Sequence, residues 1–229
     1  MKRKISKRYK QLISKEKERK AITFDDAVKK VKTNCTTKFN ESIDVSFKLN
    51  LKQKKDDSTL RTVVKLPHGN GKKIRVAVLC EEGKEGEAKL SGADLYGSEK
   101  LIEEINSGKI NFDKLVATAT MMPKAGKLGK ILGPKGLMPN PKLGTVSNDI
   151  TSTVKSIKTG QIEIKNDKDG NLAASIGKKN FMDTKIKENY NSILETVLKE
   201  KPSGIKGDFI QSAYLTSTMG VSYKLKLKA

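Results

Sequence analysis

Tryptophan is absent from this 229-residue chain, histidine occurs once and cysteine only twice, at Cys35 and Cys80. The two cysteines stand far apart, with no C-x-x-C pair and no neighbouring histidine. That argues against a disulfide framework and a zinc site and fits a reducing compartment. A single histidine, His68, leaves no room for a histidine relay or a multi-histidine metal site within the chain. Aromatic residues make up 5% of the sequence, so its cores must be mainly aliphatic. No run of 18 apolar residues exists, and the basic N-terminus has no apolar stretch beyond Leu12 and Ile13, which points away from a membrane span or a secretory signal. Acids are missing from a long interval too: between Asp113 and Asp149 there is no Asp or Glu, but there are six lysines.

What is abundant is positive charge. Lys and Arg number 47 against 26 Asp and Glu, a formal charge of +21. Solubility needs a net charge of only about 2 to 8 in a small domain. The excess therefore speaks of a polyanionic partner, and nucleic acid is the commonest. Met1 to Lys20 alone holds ten basic residues and two glutamates. This segment reads either as a solvated tail or as an arm that orders on RNA phosphates.

Hydrophobic periodicity changes twice along the chain. Thr23-x-x-Asp26 has the form of a capping box, and Phe24, Ala27, Val28 and Val31 follow at helical spacing. Ile43, Val45, Phe47, Leu49 and Leu51 then alternate with polar residues, as in a half-buried strand. Lys52 to Thr59 reads as a charged loop before a second strand at Val63 to Leu66. After His68, short apolar runs at Ile74–Leu79, Asp94–Tyr96 and Leu115–Ala119 alternate with helical stretches from Glu85, Ser98 and Asp149, the pattern of a parallel α/β domain. After Gly160 the half-exposed strands return at Ile162 to Lys165, Ile210 to Leu215 and Tyr223 to Leu227. Among them lies a long helix carrying Ile186, Tyr190, Ile193, Leu194, Val197 and Leu198. This order predicts a discontinuous α+β domain, residues 1–67 with 160–229, carrying an inserted α/β domain over residues 68–159.

Enzyme chemistry is thin. Gly126, Gly129 and Gly133 miss the Walker spacing, and no G-x-G-x-x-G follows a strand. Asp167-Lys-Asp169-Gly170 resembles part of a calcium loop, yet Lys165 and Ile176 occupy its first and twelfth positions, so a hairpin turn accounts for it better. Asp56-Asp57 needs no metal to explain it. No nucleophile, base and oxyanion donors assemble, and no cofactor or metal is expected.

One segment is more specific. Gly126 to Thr145, GKLGKILGPKGLMPNPKLGT, has five glycines, three of the six prolines, four lysines and no acid, and reads as a rigid basic loop. Its Gly133-Pro-Lys-Gly-Leu-Met-Pro-Asn-Pro-Lys142, followed by Gly144-Thr-Val146, resembles the signature of the ribosomal protein L-one family. Leu66-Pro-His-Gly69, Gly92-Ala-Asp94, Asn111-Phe-Asp113, Gly160-Gln161 and Ser217-Thr-Met-Gly220 agree in order along the chain.

That resemblance implies a first domain of split β-α-β, RNA-recognition-like layout and an inserted, Rossmann-like three-layer domain. It implies a non-enzymatic protein of the large ribosomal subunit, bound to rRNA at a bulged helical junction in the mobile stalk near the tRNA exit site. Exit-site tRNA and the leader of its own mRNA, whose translation it would repress, are further implied partners. A cytoplasmic, ribosome-bound place follows, with an organellar ribosome left open and no membrane or stable homo-oligomer expected. The family's main RNA patch maps onto Lys38, Phe39, Glu41, Ser217, Thr218, Met219 and Gly220. Secondary RNA contacts fall to Lys4, Arg8, Lys127, Lys130, Lys135, Lys142, Lys165 and Lys168. The chain departs from the pattern at Arg61-Thr62 and Asn50, where glycines are frequent, in its lysine-rich loop after Leu51, and at its basic end, Lys224, Lys226 and Lys228. A basic nucleic-acid chaperone would explain the charge but not two well-patterned domains.

Overall fold

The computed structural model describes residues 5–15, 20–51, 60–202 and 207–227. Lys4, the loop 52–59 and Lys228 lie outside them. The chain divides into two compact units, Met1–Gly71 with Glu163–Ala229, and Lys72–Ile162.

The discontinuous unit begins with α1 (Lys7–Lys15) and α2 (Phe24–Thr33). Thr23 caps α2: its hydroxyl oxygen accepts the Asp26 amide at 3.3 Å and donates to the Asp26 carboxylate at 2.6 Å. The acid thus meets the cap side chain, a local variant of the capping box. Ala27, Val28 and Val31 form the buried stripe of this helix. Strand β1 (Ser42–Leu49) alternates strictly, with Ile43, Val45, Phe47 and Leu49 buried. Strand β2 (Arg61–Lys65) completes the N-terminal segment.

The inserted unit is built on β3 (Val76–Leu79), α3 (Glu85–Leu90), β4 (Leu95–Gly97), α4 (Glu99–Asn106), β5 (Lys114–Ala117), α5 (Met122–Lys127), α6 (Gly129–Leu132) and α7 (Ile150–Thr159). Its sheet has the order β4-β3-β5, with both pairings parallel. All four residues of β3 are buried because helices cover both faces. Ala77 and Leu79 pack with Leu101, Ile105, Leu128 and Leu132 on one side. Val76 and Val78 pack with Ala88, Ile150, Val154 and Ile157 on the other. Asp149 caps α7 by accepting the Ser152 amide at 3.1 Å, and Gly160 closes it at φ 121°.

The basic loop expected at Gly126 to Thr145 is corrected over its first third, which is helical in α5 and α6. Met121, Ala125, Leu128 and Leu132 recur at helical spacing and are all buried in one core. That burial outweighs the roughly 1 kcal/mol by which each glycine disfavours a helix interior. Only from Gly133 onward does the segment leave the α-helix, returning to a single 3-10 turn at Pro141–Leu143.

The chain re-enters the discontinuous unit through β6 (Gln161–Lys165), which neighbours β2, then β7 (Asn171–Lys178), α8 (Asp183–Lys199), β8 (Ile210–Ser217) and β9 (Tyr223–Lys224). The four-stranded sheet has the order β7-β1-β8-β9. Strand β1 is antiparallel to both β7 and β8, so those two run parallel to each other, joined by α8, with β1 between them. Tyr190 of α8 stacks on Phe24, ring centroids 4.3 Å apart, and on Phe47 at 6.0 Å, which ties both helices to the sheet. Leu198, expected on the buried stripe of α8, is exposed at the last turn.

Candidate nucleic-acid interface

Because β1 and β8 are antiparallel, the segment entering β1 and the turn leaving β8 emerge at the same end of the sheet. Ile43 stands opposite Ser217, and the Thr218 amide donates to the Ser42 carbonyl at 3.1 Å. Residues separated by more than 170 positions are thereby brought together. Phe39 and Met219 are both exposed, at 52% and 49%, which for large apolar side chains marks a contact surface. Lys38 and Thr218 are exposed beside them.

A buried carboxylate joins the two segments. Glu41 accepts the Thr37 hydroxyl at 2.8 Å, the Thr37 amide at 3.4 Å and the Met219 amide at 3.1 Å. Its side chain is closed off from solvent. Burial pushes its carboxyl up, but hydrogen bonds from the Ser217 hydroxyl, Thr37 and the Met219 amide outweigh burial and hold it below the usual value. Thr218 is fixed in its turn: its hydroxyl oxygen accepts the Ser42 amide at 3.0 Å. That bond uses one of the two lone pairs of the hydroxyl oxygen. Gly220 closes the turn, its amide donating to the Ser217 carbonyl at 3.2 Å.

Two further lysines reach the same end of the sheet. Lys178, opposite Ser42 in the β1–β7 pairing, donates to the Ser42 hydroxyl at 2.8 Å, and Lys179 donates to the Cys35 carbonyl at 2.9 Å. Neither is recognisable from sequence, since only the strand register carries them there. The Cys35 thiol beneath them is raised by burial, with smaller opposing and reinforcing effects from Ser217 and Glu41.

A profile of the ribosomal protein L1p/L10e family matches residues 28–221. The chain belongs to that family. Relatives named large ribosomal subunit protein uL1 agree along nearly its whole length. The one from Pelagibacter ubique is 56% identical over 223 residues, covering 97% of each chain. That of Rickettsia akari is 48% identical over 202 residues, 88% of this chain and 84% of its own. The Fervidobacterium nodosum relative is 44% identical over 225 residues, 98% and 96% of the two chains. Membership in the L1p/L10e family places the chain among structural ribosomal proteins, not enzymes.

The residues expected to contact RNA do not all gather in one place. Lys38, Phe39, Thr218, Met219 and Gly220 meet at the end of the sheet where β1 starts. The expectation that Glu41 and Ser217 contact RNA directly is corrected: both are buried, at 0% and 3% exposure, so they hold the exposed residues in place. Lys165 and Lys168 are exposed beside the turn that follows β6, where the Gly170 carbonyl accepts the Leu49 amide at 2.8 Å. That is the opposite end of β1, about 24 Å from Ser42 at the usual rise per strand residue. Lys127, Lys130, Lys135 and Lys142 are exposed on the inserted unit. Arg8 is not a free phosphate contact, because its guanidinium donates to the Thr36 hydroxyl at 3.1 Å and the Met219 carbonyl at 2.7 Å.

Proposed function

We propose that this protein is a structural, rRNA-binding component of the large ribosomal subunit, seated in the stalk near the tRNA exit site. The observation that carries the reading is the joining of Phe39 and Thr218–Met219 into one exposed surface by the buried Glu41 carboxylate. Phe39 and Met219 would cover apolar sugar faces, Thr218 would bond a 2′-hydroxyl, and Gly220 would let backbone approach ribose. Recognition of this kind reads the shape of a folded junction more than a base code. The discontinuous unit is read as the split β-α-β, RNA-recognition-like domain of the family, with β7, α8 and β8 around β1. The unit containing β3 to α7 is read as its inserted Rossmann-like domain. Lysines on that unit, and Lys165 with Lys168 on the other, would serve secondary contacts with stalk RNA or exit-site tRNA. Binding to the leader of its own messenger, with translational repression, follows where that leader mimics the junction. A cytoplasmic place on the ribosome fits the bacterial relatives, and no helix among the described residues is long and apolar enough to cross a membrane.

The test compares two RNAs. Replacing Thr218 and Met219 with Ala is expected to weaken binding to a bulged-junction fragment of large-subunit rRNA at least tenfold more than to a random duplex. A tenfold ratio corresponds to about 1.4 kcal/mol. Equal losses on both RNAs would overturn the reading of a specific patch.

A further inference from the structure

The loop that carries Lys38 and Phe39 runs from Cys35, just past the Asn34 cap of α2, to Glu41, just before β1. One lysine fixes both of its ends. The Lys179 main-chain amide donates to the Glu41 carbonyl at 2.9 Å, and the Lys179 Nζ donates to the Cys35 carbonyl at 2.9 Å. A bulge in β7 decides which lysine does this. Ile43 stands opposite Gly177 and Asp44 opposite Ser175, so Ile176 is an extra residue without a partner on β1. An extra residue turns every following side chain to the other face of the sheet. Lys178 therefore meets Ser42 on the half-exposed face, and Lys179 falls beside the buried Glu41, within reach of Cys35. Without the bulge, Lys178 would stand where Lys179 does. Asn189 of α8, itself fully buried, holds the bulge by donating to the Ile176 carbonyl at 2.8 Å.

We propose that Lys179 is a positioning residue of the RNA patch: it brackets the loop Cys35–Glu41, presents Phe39 to the junction, and neutralises no phosphate itself. The chemistry suits a cation, because carbonyls at a helix C-terminus carry the negative end of the dipole. Lys179 is half-buried and its ammonium is engaged by the protein, whereas Lys38 on the same loop is exposed. Two lysines of equal charge thus have different tasks. Holding the loop in place before RNA arrives removes part of the ordering cost from binding. The proposal rests on the reading of Phe39 and Thr218–Gly220 as the junction-binding patch.

The experiment uses the full chain with Lys179→Met, which keeps the length of the side chain and removes its donor. Affinity for the bulged-junction fragment is expected to fall about five- to tenfold, the scale of ordering one or two side chains. The slope of log K against log salt is expected to stay unchanged. A slope reduced by about 0.9 would make Lys179 a phosphate contact and overturn the proposal. In a Phe39→Ala background, Lys179→Met is expected to cost no more than about twofold, because it acts through Phe39. A full, independent loss in that background would also overturn it. Nuclear magnetic relaxation of the RNA-free protein reads the bracket directly. Order parameters of residues 36–40 are expected to drop from about 0.85 to below about 0.6 in Lys179→Met, and unchanged values would overturn the proposal. Loss of the fold in Lys179→Met would assign the residue to global stability and count against it. Undiminished junction binding by Phe39→Ala alone would instead overturn the patch reading, while the order parameters still judge the bracket.

Discussion

The carboxylate of Glu41 accepts the backbone amide of Met219 at 3.1 Å, a hydrogen bond between residues 178 positions apart. It makes one surface from two chain segments. It also puts the least accessible residue of the patch in control of the most exposed ones.

Substituting Glu41 with Gln is expected to lower stability at neutral pH by about 1–3 kcal/mol, because buried donors lose an ionised acceptor. The pH dependence has a definite sign. The folded-state pKa of Glu41 lies below its ordinary 4.5, so its contribution is fully present above that value and is lost as pH falls through the folded value. Denaturant titrations from pH 7 downward should show a shallower acid limb in Glu41→Gln than in the unaltered protein. Identical acid limbs would mean that the carboxylate contributes nothing to folding.

Gly220 and Ser217 are coupled sterically. A Cβ at Gly220 would stand 2.3 Å from the Ser217 Oγ, the hydroxyl that bonds Glu41. Gly220→Ala is therefore expected to cost more junction affinity than stability, by displacing that hydroxyl. Ser217→Ala removes the clash, so a double-mutant cycle should show the pair costing less than the sum of its parts. Additive losses would show that Gly220 matters only through backbone approach to the RNA.

The glycines of the basic segment differ in what surrounds them. At Gly133 a Cβ would meet the Gly129 carbonyl oxygen at 2.6 Å, whereas at Gly126, inside α5, nothing lies within 4 Å. Gly126→Ala is expected to stabilise the protein by about 0.4–1 kcal/mol and Gly133→Ala to destabilise it. Neither should change affinity for the junction fragment, since both lie in the unit without the patch. Thermal melts with parallel binding assays check both halves; a stabilising Gly133→Ala would contradict the backbone clash.

Much of the fold is legible in local sequence. Alternation at Ile43 to Leu49 marks the buried face of β1, Thr23 and Asp149 mark helix starts, and Gly160 marks a helix end. The failures share a cause. Gly126 to Leu132 reads as loop from its glycine content, although Met121, Ala125, Leu128 and Leu132 carry a helical stripe that only a partner surface makes decisive. Glu41 and Ser217 read as RNA contacts because a motif reports which residues belong to a site, not which of them face outward. Lys178 and Lys179 stay hidden because nothing local records the register of β7 against β1.

The partner's charge, the periods of strand and helix, and the family are all written in residue type and short spacing, so the linear chain was enough for them. Which residues form the surface is a matter of tertiary structure. The hydrogen bonds from the Met219 amide to Glu41 and from Arg8 to the Met219 carbonyl form only after the sheet has closed β8 onto β1, and the pairing of distant strands is fixed by burial across the whole unit.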